Sequence, residues 1–433
     1  MNRFARTVAP MMLLFSLSIC LSAQTPTDWR FTPLLSESPL TLANGSSVYP
    51  GLPVMSGNTL TFAGYKPDFF DPSGIYQSNS GTITKIADTR TRIPNDGRRF
   101  DHFGGSLIAN GDQVAFTGAP TSNGGEGVYL SQSGNLSVIA DSSTTLPGST
   151  SKLASAYFAD GRNNINSERL LFSAFGNGTN GLYSREKNGS LIRIADNSML
   201  APGTNTPFRS FVDAQMSGNQ IAFMNNAGGN DVGRGAYLSV NGVITTIANG
   251  TTQVPETDFL FKTVYEAALS EKRQVIAGRY SDGKRLRYGL YENTSNGLTP
   301  LLDPNTLLPP DANYTYLPAR LLASDDTLAF SVYSQTPEGG TGFYEPLFVN
   351  RGGITEKLLQ RGDTLDGKTV SFFYPLQFDS GRLLMQVSFT DNSRGYFSAQ
   401  AVPEPGAVAW LIVVSMGGAG WKYARKRHQK KSK

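Results

Sequence analysis

The chain of 433 residues is 39% hydrophobic and 11% aromatic with 46 glycines, a balance that excludes disorder and suits a turn-rich, aromatic-cored β protein. Its formal charge of +4 belongs to its ends: Arg3 and Arg6 open the chain, seven Lys/Arg run from Lys422, and with these and Glu404 set aside 29 cations face 33 acids, so a basic nucleic-acid surface is excluded. One cysteine, Cys20, and two histidines, His102 and His428, exclude a disulfide framework and multi-histidine metal sites.

Residues 1–23 read as a secretory signal peptide: two arginines, a short apolar run, and Leu21-Ser22-Ala23 with a small residue at the cleavage site near Ala23. The mature chain is expected from Gln24, without a thiol, and Ile19 stands where a lipid-attachment motif needs a small residue.

From there one frame recurs. Gly-x-Tyr falls at Gly74/Tyr76, Gly127/Tyr129, Gly181/Tyr183, Gly235/Tyr237, Gly289/Tyr291, Gly342/Tyr344 and, as Gly-x-Phe, at Gly395/Phe397, with the glycines 53 or 54 residues apart. Asp88, Asp141, Asp196, Asn249 and Asp303 keep step, each with a proline six residues later. A fixed period of this length is the mark of a repeat architecture, so residues 24–400 read as one ring rather than several domains. Each unit divides into four short strands, with Asn110-Gly111 and Ser133-Gly134 marking tight hairpins in the second.

The seventh unit, from Phe372, supplies three strands, and Trp29 to Leu35 reads as the missing fourth. The expected fold is therefore all-β: a seven-bladed β-propeller of four-stranded blades, the last closed by the N-terminal strand, which removes open sheet edges. Second strands carry Leu60/Phe62, Val114/Phe116, Leu170/Phe172, Ile221/Phe223 and Leu328/Phe330, an alternation expected of packed strands; Val275-Ile276-Ala277 breaks it, so the fifth blade is expected to pack less well. Tight turns join strands one to two and three to four, and longer loops fill the opposite face, which is the expected functional mouth.

Residues 401–433 change character: Pro403-Glu404-Pro405, an apolar segment over 406–421, and a basic end over 422–433. The apolar segment is expected to form a transmembrane helix with the basic end cytoplasmic. This three-part tail resembles a PEP-CTERM sorting signal. The resemblance implies recognition by an exosortase-type membrane peptidase and delivery to the surface or extracellular matrix of a Gram-negative bacterium. The body resembles the tandem-repeat proteins with Asn-x-x-Gly-x-x-x-Ala-Phe repeats, on Gly111/Ala115/Phe116 and Gly218/Ala222/Phe223, although the leading Asn is absent.

The chemistry-bearing residues are sparse. A ring of Asp88, Asp141, Asp196, Asn249 and Asp303 could bind cations or sugar hydroxyls, but an acid followed by Ser/Thr and Pro also caps a turn, and Asn249 fills the slot without charge. His102 reads as a surface residue. Carboxylates fall on the expected mouth at Glu126, Asp231, Glu256, Asp282 and Glu338 with no spacing that singles out a pair. The reading is a monomeric, non-catalytic, exported binding or structural protein without cofactor or metal, anchored at the envelope or released into the matrix. Its partners are extracellular polysaccharide or a surface protein, and no nucleic acid. The alternative is an extracellular carbohydrate-active hydrolase or lyase.

Overall fold

The computed structural model describes residues 28–402 apart from 67–71, 122–123, 159–163, 226–231, 303–314 and 336–343. The signal peptide with Ala23, Asp303, the Pro403-Glu404-Pro405 motif, the expected membrane helix and the basic tail lie outside these residues. Among the described residues there is no helix, hence none long and apolar enough to cross a membrane.

Residues 29–401 form seven antiparallel sheets, one per repeat, as the four-stranded blades of a propeller. Blade two shows the pattern, with His102–Asn110, Gln113–Ala119, Gly127–Gln132 and Asn135–Ala140 hydrogen-bonded in chain order. Blade seven takes Lys368–Asp379, Arg382–Phe389 and Arg394–Ala401 from the end of the chain and Trp29–Ser36 from its beginning. Trp29 lies opposite Ala401 and Ser36 opposite Gly395, so the first strand of the chain covers what would otherwise be the open edge of the last sheet. The hairpins form because the turn residues accept left-handed backbone: Asn241 and Gly242, at φ 52° and 82°, give the double positive turn that matches strand twist.

The core is a set of seams between blades. Phe100, Phe103, Phe116 and Tyr129 of blade two meet Ala63 and Ile75 of blade one, and Phe208, Phe211, Phe223 and Tyr237 of blade four meet Leu171 and Leu182 of blade three. Because every blade packs on both faces, its middle strands are buried on both. Gln113–Ala119 is buried throughout after its first residue, whereas the outermost strand Asn135–Ala140 still alternates. The alternation expected in second strands is thus one of residue size rather than of burial: Leu60, Thr61 and Phe62 are all buried. Ile276, which lies opposite Tyr291 where blades one to four place a phenylalanine opposite the recurring tyrosine, is also fully buried, and the edge-to-face pair Phe261–Tyr291 at 5.0 Å persists beside it. The looser packing expected of that blade has no counterpart in its burial.

The Gly-x-Tyr frame has a steric origin. The two residues point to the same face of one strand, and the tyrosine ring folds back over the glycine. A Cβ on Gly181 would sit 2.8 Å from the Tyr183 hydroxyl and 2.9 Å from the Ala195 carbonyl; on Gly289 it would sit 2.6 Å from the Tyr291 hydroxyl. The carbonyl comes this close because the fourth strand bulges in each blade: Val128 pairs Ala140 but Tyr129 pairs Val138, and the same slip separates Leu182 from Tyr183. Gly181→Ala is expected to cost about 1–3 kcal/mol by overpacking. In urea titrations, Tyr183→Phe in the same chain should recover part of that loss, since it removes the nearest clashing atom.

Candidate functional site

In each blade the first strand is innermost, and it is interrupted midway. Register shifts fall between Phe103 and Leu107, Val212 and Gln215, Val264 and Glu266, and Pro375 and Gln377. A bulged innermost strand leaves backbone groups without a ladder partner, and buried unpaired groups are costly. Side chains from the preceding blade supply them. Gln215 donates to Ala267 O and accepts from Leu269 N at 3.1 Å, the Glu266 carboxylate accepts from Arg320 N at 2.6 Å and Leu321 N at 3.1 Å, and Gln377 accepts from Met55 N at 2.7 Å, joining blade seven to blade one. Gln215, Glu266 and Gln377 are all buried.

These clamps hold the wall of a cavity of about 600 Å³. It is lined from blades one, two, three, four, five and seven by Val54, Ile108, Asn110, Ile165 to Arg169, Met216, Asn219, Glu271, Gln377, Asp379 and Ser380. Innermost strands of six blades converge only on the ring axis. The residues at its rim belong to the turns joining strands one and two, so this axial cavity opens on the tight-turn face, opposite the expected mouth. Several of the mouth loops, with Asp231 and Glu338, lie outside the described residues.

The rim is pre-set by its own hydrogen bonds. Asn166 Oδ1 accepts from Glu168 N at 2.9 Å and Arg169 N at 2.8 Å. Asn110 donates to Ile165 O at 3.2 Å across a blade boundary, and Glu168 is held by Lys187 at 2.8 Å. Glu271 and Ser167 project from the longer turns of blades five and three, and Glu271 forms no ion pair among the described residues. Amide, hydroxyl and carboxylate groups around a floor of Val54, Ile108 and Met216 offer many directional donors and acceptors and more polar than apolar surface. That is chemistry for grasping a polyhydroxylated ligand rather than an apolar one.

The recurring acids lie elsewhere and bond to their own turns. Asp141 accepts from Ser143 N at 2.9 Å and Ser143 Oγ at 2.6 Å, Asp88 accepts from Arg90 N at 3.0 Å and Thr91 Oγ1 at 3.0 Å, and Asp196 accepts from Ser198 N at 2.9 Å and from Arg193 at 2.8 Å. Asn249 makes the same bonds to Thr251 N and Oγ1, at 2.9 and 2.7 Å. Desolvation would raise the Asp196 carboxyl, but Ser198 and Arg193 outweigh it and hold the group below its usual range. No three of these acids converge, and among the described residues no group of three or more His, Asp or Glu could hold a metal.

His102 is half-buried rather than on the surface, with Nε2 3.9 Å from Glu126 and a buried Nδ1 that has no partner. Asp282 caps Lys284 N and Arg285 N at 2.9 and 2.8 Å and pairs with Arg287, while Glu256 is exposed at φ 60°. The expected mouth carboxylates that are described do not form a pair.

The recurring tyrosines carry a pH dependence. Burial first, and then Asp141, push the Tyr129 phenol up from 10.0 to about 12, and burial with Asp196 does the same for Tyr183. A folded-state pKa above the unfolded value contributes stability that is fully present below 10.0 and is lost as pH rises through about 12. Unfolding free energy is therefore expected to fall across that window. Tyrosinate absorbance should show Tyr129 and Tyr183 ionising near 12; ionisation of both near 10.0 would contradict it.

No curated protein matches the sequence. Solved structures similar to the chain include the β-propeller domain of the Trilobed protease from Pyrococcus furiosus, 12% identical over 82% of this chain and 96% of that one, with a TM-score of 0.47. An ancestral GH74 enzyme is 10% identical over 86% of this chain, with a TM-score of 0.48. The acylaminoacyl peptidase of Pyrococcus horikoshii is 11% identical over 84% of this chain, with a TM-score of 0.45. The match spans 51% of the GH74 enzyme and 53% of the acylaminoacyl peptidase. At such identities none of them bears on the chemistry of the axial cavity. Over residues 46–299, which run from blade one into the last strand of blade five, the sequence matches the model of a family of unknown function, and the chain belongs to that family, DUF7453.

Proposed function

We propose that this is an exported, non-catalytic binding protein, held at the cell surface or released into the matrix, whose axial cavity takes a segment of extracellular polysaccharide. The observation that carries the reading is the polar, internally braced rim of Asn110, Asn166, Ser167, Asn219, Glu271 and Ser380 on the ring axis. Fixed amides and hydroxyls match the closely spaced hydroxyls of a sugar, and little ordering is needed on binding. The address rests on the signal peptide and on the PEP-CTERM-like tail, with an exosortase-type peptidase as processing partner and the 406–421 segment as at least a transient membrane anchor.

The test is calorimetric titration of the full-length protein with the producing organism's purified extracellular polysaccharide, with the polymer sized by chromatography afterwards. Heat with an intact polymer is the expected result. Shortened chains would replace the reading with a hydrolase or lyase, and neither heat nor shortening would end both.

A further inference from the structure

The connection from blade one to blade two carries Arg90, Arg92, Arg98 and Arg99, all exposed. Arg92 and Arg99 lie directly opposite each other in an isolated antiparallel bridge. Ile93 N donates to Arg98 O and Phe100 N to Thr91 O on either side, which makes this the close, non-hydrogen-bonded kind of pair, the one that brings facing side chains nearest. Like charges so placed destabilise a ladder. The three corresponding bridges avoid the conflict: they are Thr145 with Lys152, Leu200 with Pro207, and Gln253 with Leu260. Arg98 is taken by Asp96 at 2.6 Å and Asp88 by Lys85 at 2.9 Å. Arg90, Arg92 and Arg99 form no ion pair among the described residues, and Asp101 is the remaining acid of the connection.

Arg90 also lines a second cavity, of about 560 Å³, outside the ring axis. Lys66 and Lys85 line it as well, with the hydroxyl residues Ser46, Tyr76 and Thr89. Arg90 stands there beside the Lys85–Asp88 pair, interleaved with hydroxyls, a combination that suits a ligand both anionic and hydroxylated.

We infer that this edge of blades one and two is a binding surface for an acidic polysaccharide, whose sugar carboxylates lie on Arg90, Arg92 and Arg99 and whose adjoining sugar enters the cavity beside Lys66 and Lys85. The inference rests on the polysaccharide-binding reading above and adds the charge of the polymer and a second contact off the axis. Arginine suits the role because its planar fork takes a carboxylate through two parallel hydrogen bonds. An anion seated between the opposed pair offsets their repulsion.

The test is titration of the full-length protein with a galacturonate oligomer, its methyl ester, duplex DNA and anionic phospholipid vesicles, for the wild type and for R92A/R99A. The expected result is binding of the oligomer that weakens with salt, no comparable binding of the ester, DNA or vesicles, and at least about tenfold weaker binding by the variant. The melting temperature of R92A/R99A should be unchanged or higher, since the substitution removes a repulsion. Equal affinity for the ester, or a variant that binds as well as wild type, overturns the inference, as does equal affinity for DNA or vesicles, which would mark a general polyanion surface. If the oligomer gives no heat while the native polysaccharide does, only this inference fails; if neither does, the reading of the axial cavity fails with it.

Discussion

Arg273→Ala is expected to lower the unfolding free energy by about 3–5 kcal/mol, because it strips one partner from a buried ionic cluster and leaves the others unpaired. Arg273, 7% exposed, sits in the turn after the first strand of blade five. It donates to both carboxylate oxygens of Glu292, at 2.6 and 3.3 Å. Its second arm crosses to blade six and reaches Asn350 Oδ1 at 2.8 Å, Asn350 O at 3.1 Å and Asp326 O at 3.3 Å. Removing it leaves an amide and two carbonyls without this donor in a place water reaches poorly, and Glu292, 21% exposed, without its partner. Arg169–Glu186 of blade three gives the contrast: the contact is 2.9 Å, but the side chains are 27% and 20% exposed, so Arg169→Ala should cost at most about 1 kcal/mol. Chemical denaturation of the two variants separates these values, and similar small losses would mean that the buried cluster contributes no more than a surface pair.

Phe223→Ala should cost a comparable amount, roughly 3–5 kcal/mol, by opening a cavity that its neighbours cannot fill. The ring is fully buried and lies 5.5 Å from Phe208, 5.7 Å from Phe211 and 5.8 Å from Tyr237 between centroids. Those rings are fixed in turn by the seam with blade three, through Leu171, Leu182 and Ala195. Blade five, with Ile276 in the matching position opposite Tyr291, shows that the fold accepts a smaller aliphatic side chain there when the seam is built around it. A midpoint shift in urea with an unchanged slope would assign the loss to packing; a changed slope would point to an altered unfolded or native ensemble.

The repeat made the fold readable, because period, turn residues and the three-strand remainder after Phe372 follow from local chemistry restated from blade to blade; blade six departs from it, with Phe348, four residues after the expected Tyr344, opposite Phe330 beside the bulge. The bulge in every fourth strand was also written there, as the adjacent apolar pairs Ile139-Ala140 and Ile194-Ala195, which break alternation, but a single residue's slip shows its meaning only once the partner strand is known. The axial cavity was less legible. Asn166-Ser167-Glu168 and Ser270-Glu271-Lys272 are short connections between neighbouring strands of their own blades. That they face one another follows from the ring placing every first strand innermost, a property of closure rather than of any segment. Their extra length relative to Asn110-Gly111 was the available signal. The Arg92–Arg99 opposition was hidden for the same reason, since six residues of sequence separate two side chains that the bridge places side by side.

The axial cavity carries the functional account, and blocking it is the most direct trial. Ser167 and Asn219 are exposed at its rim on turns of blades three and four, so Ser167→Trp with Asn219→Trp fills the opening without touching a seam. In titrations with the native extracellular polysaccharide at high salt, where the arginine edge is screened, the account predicts that this variant keeps the wild-type melting temperature and loses its heat of binding. Undiminished heat from a folded variant would contradict it and move the search to the loop-rich face.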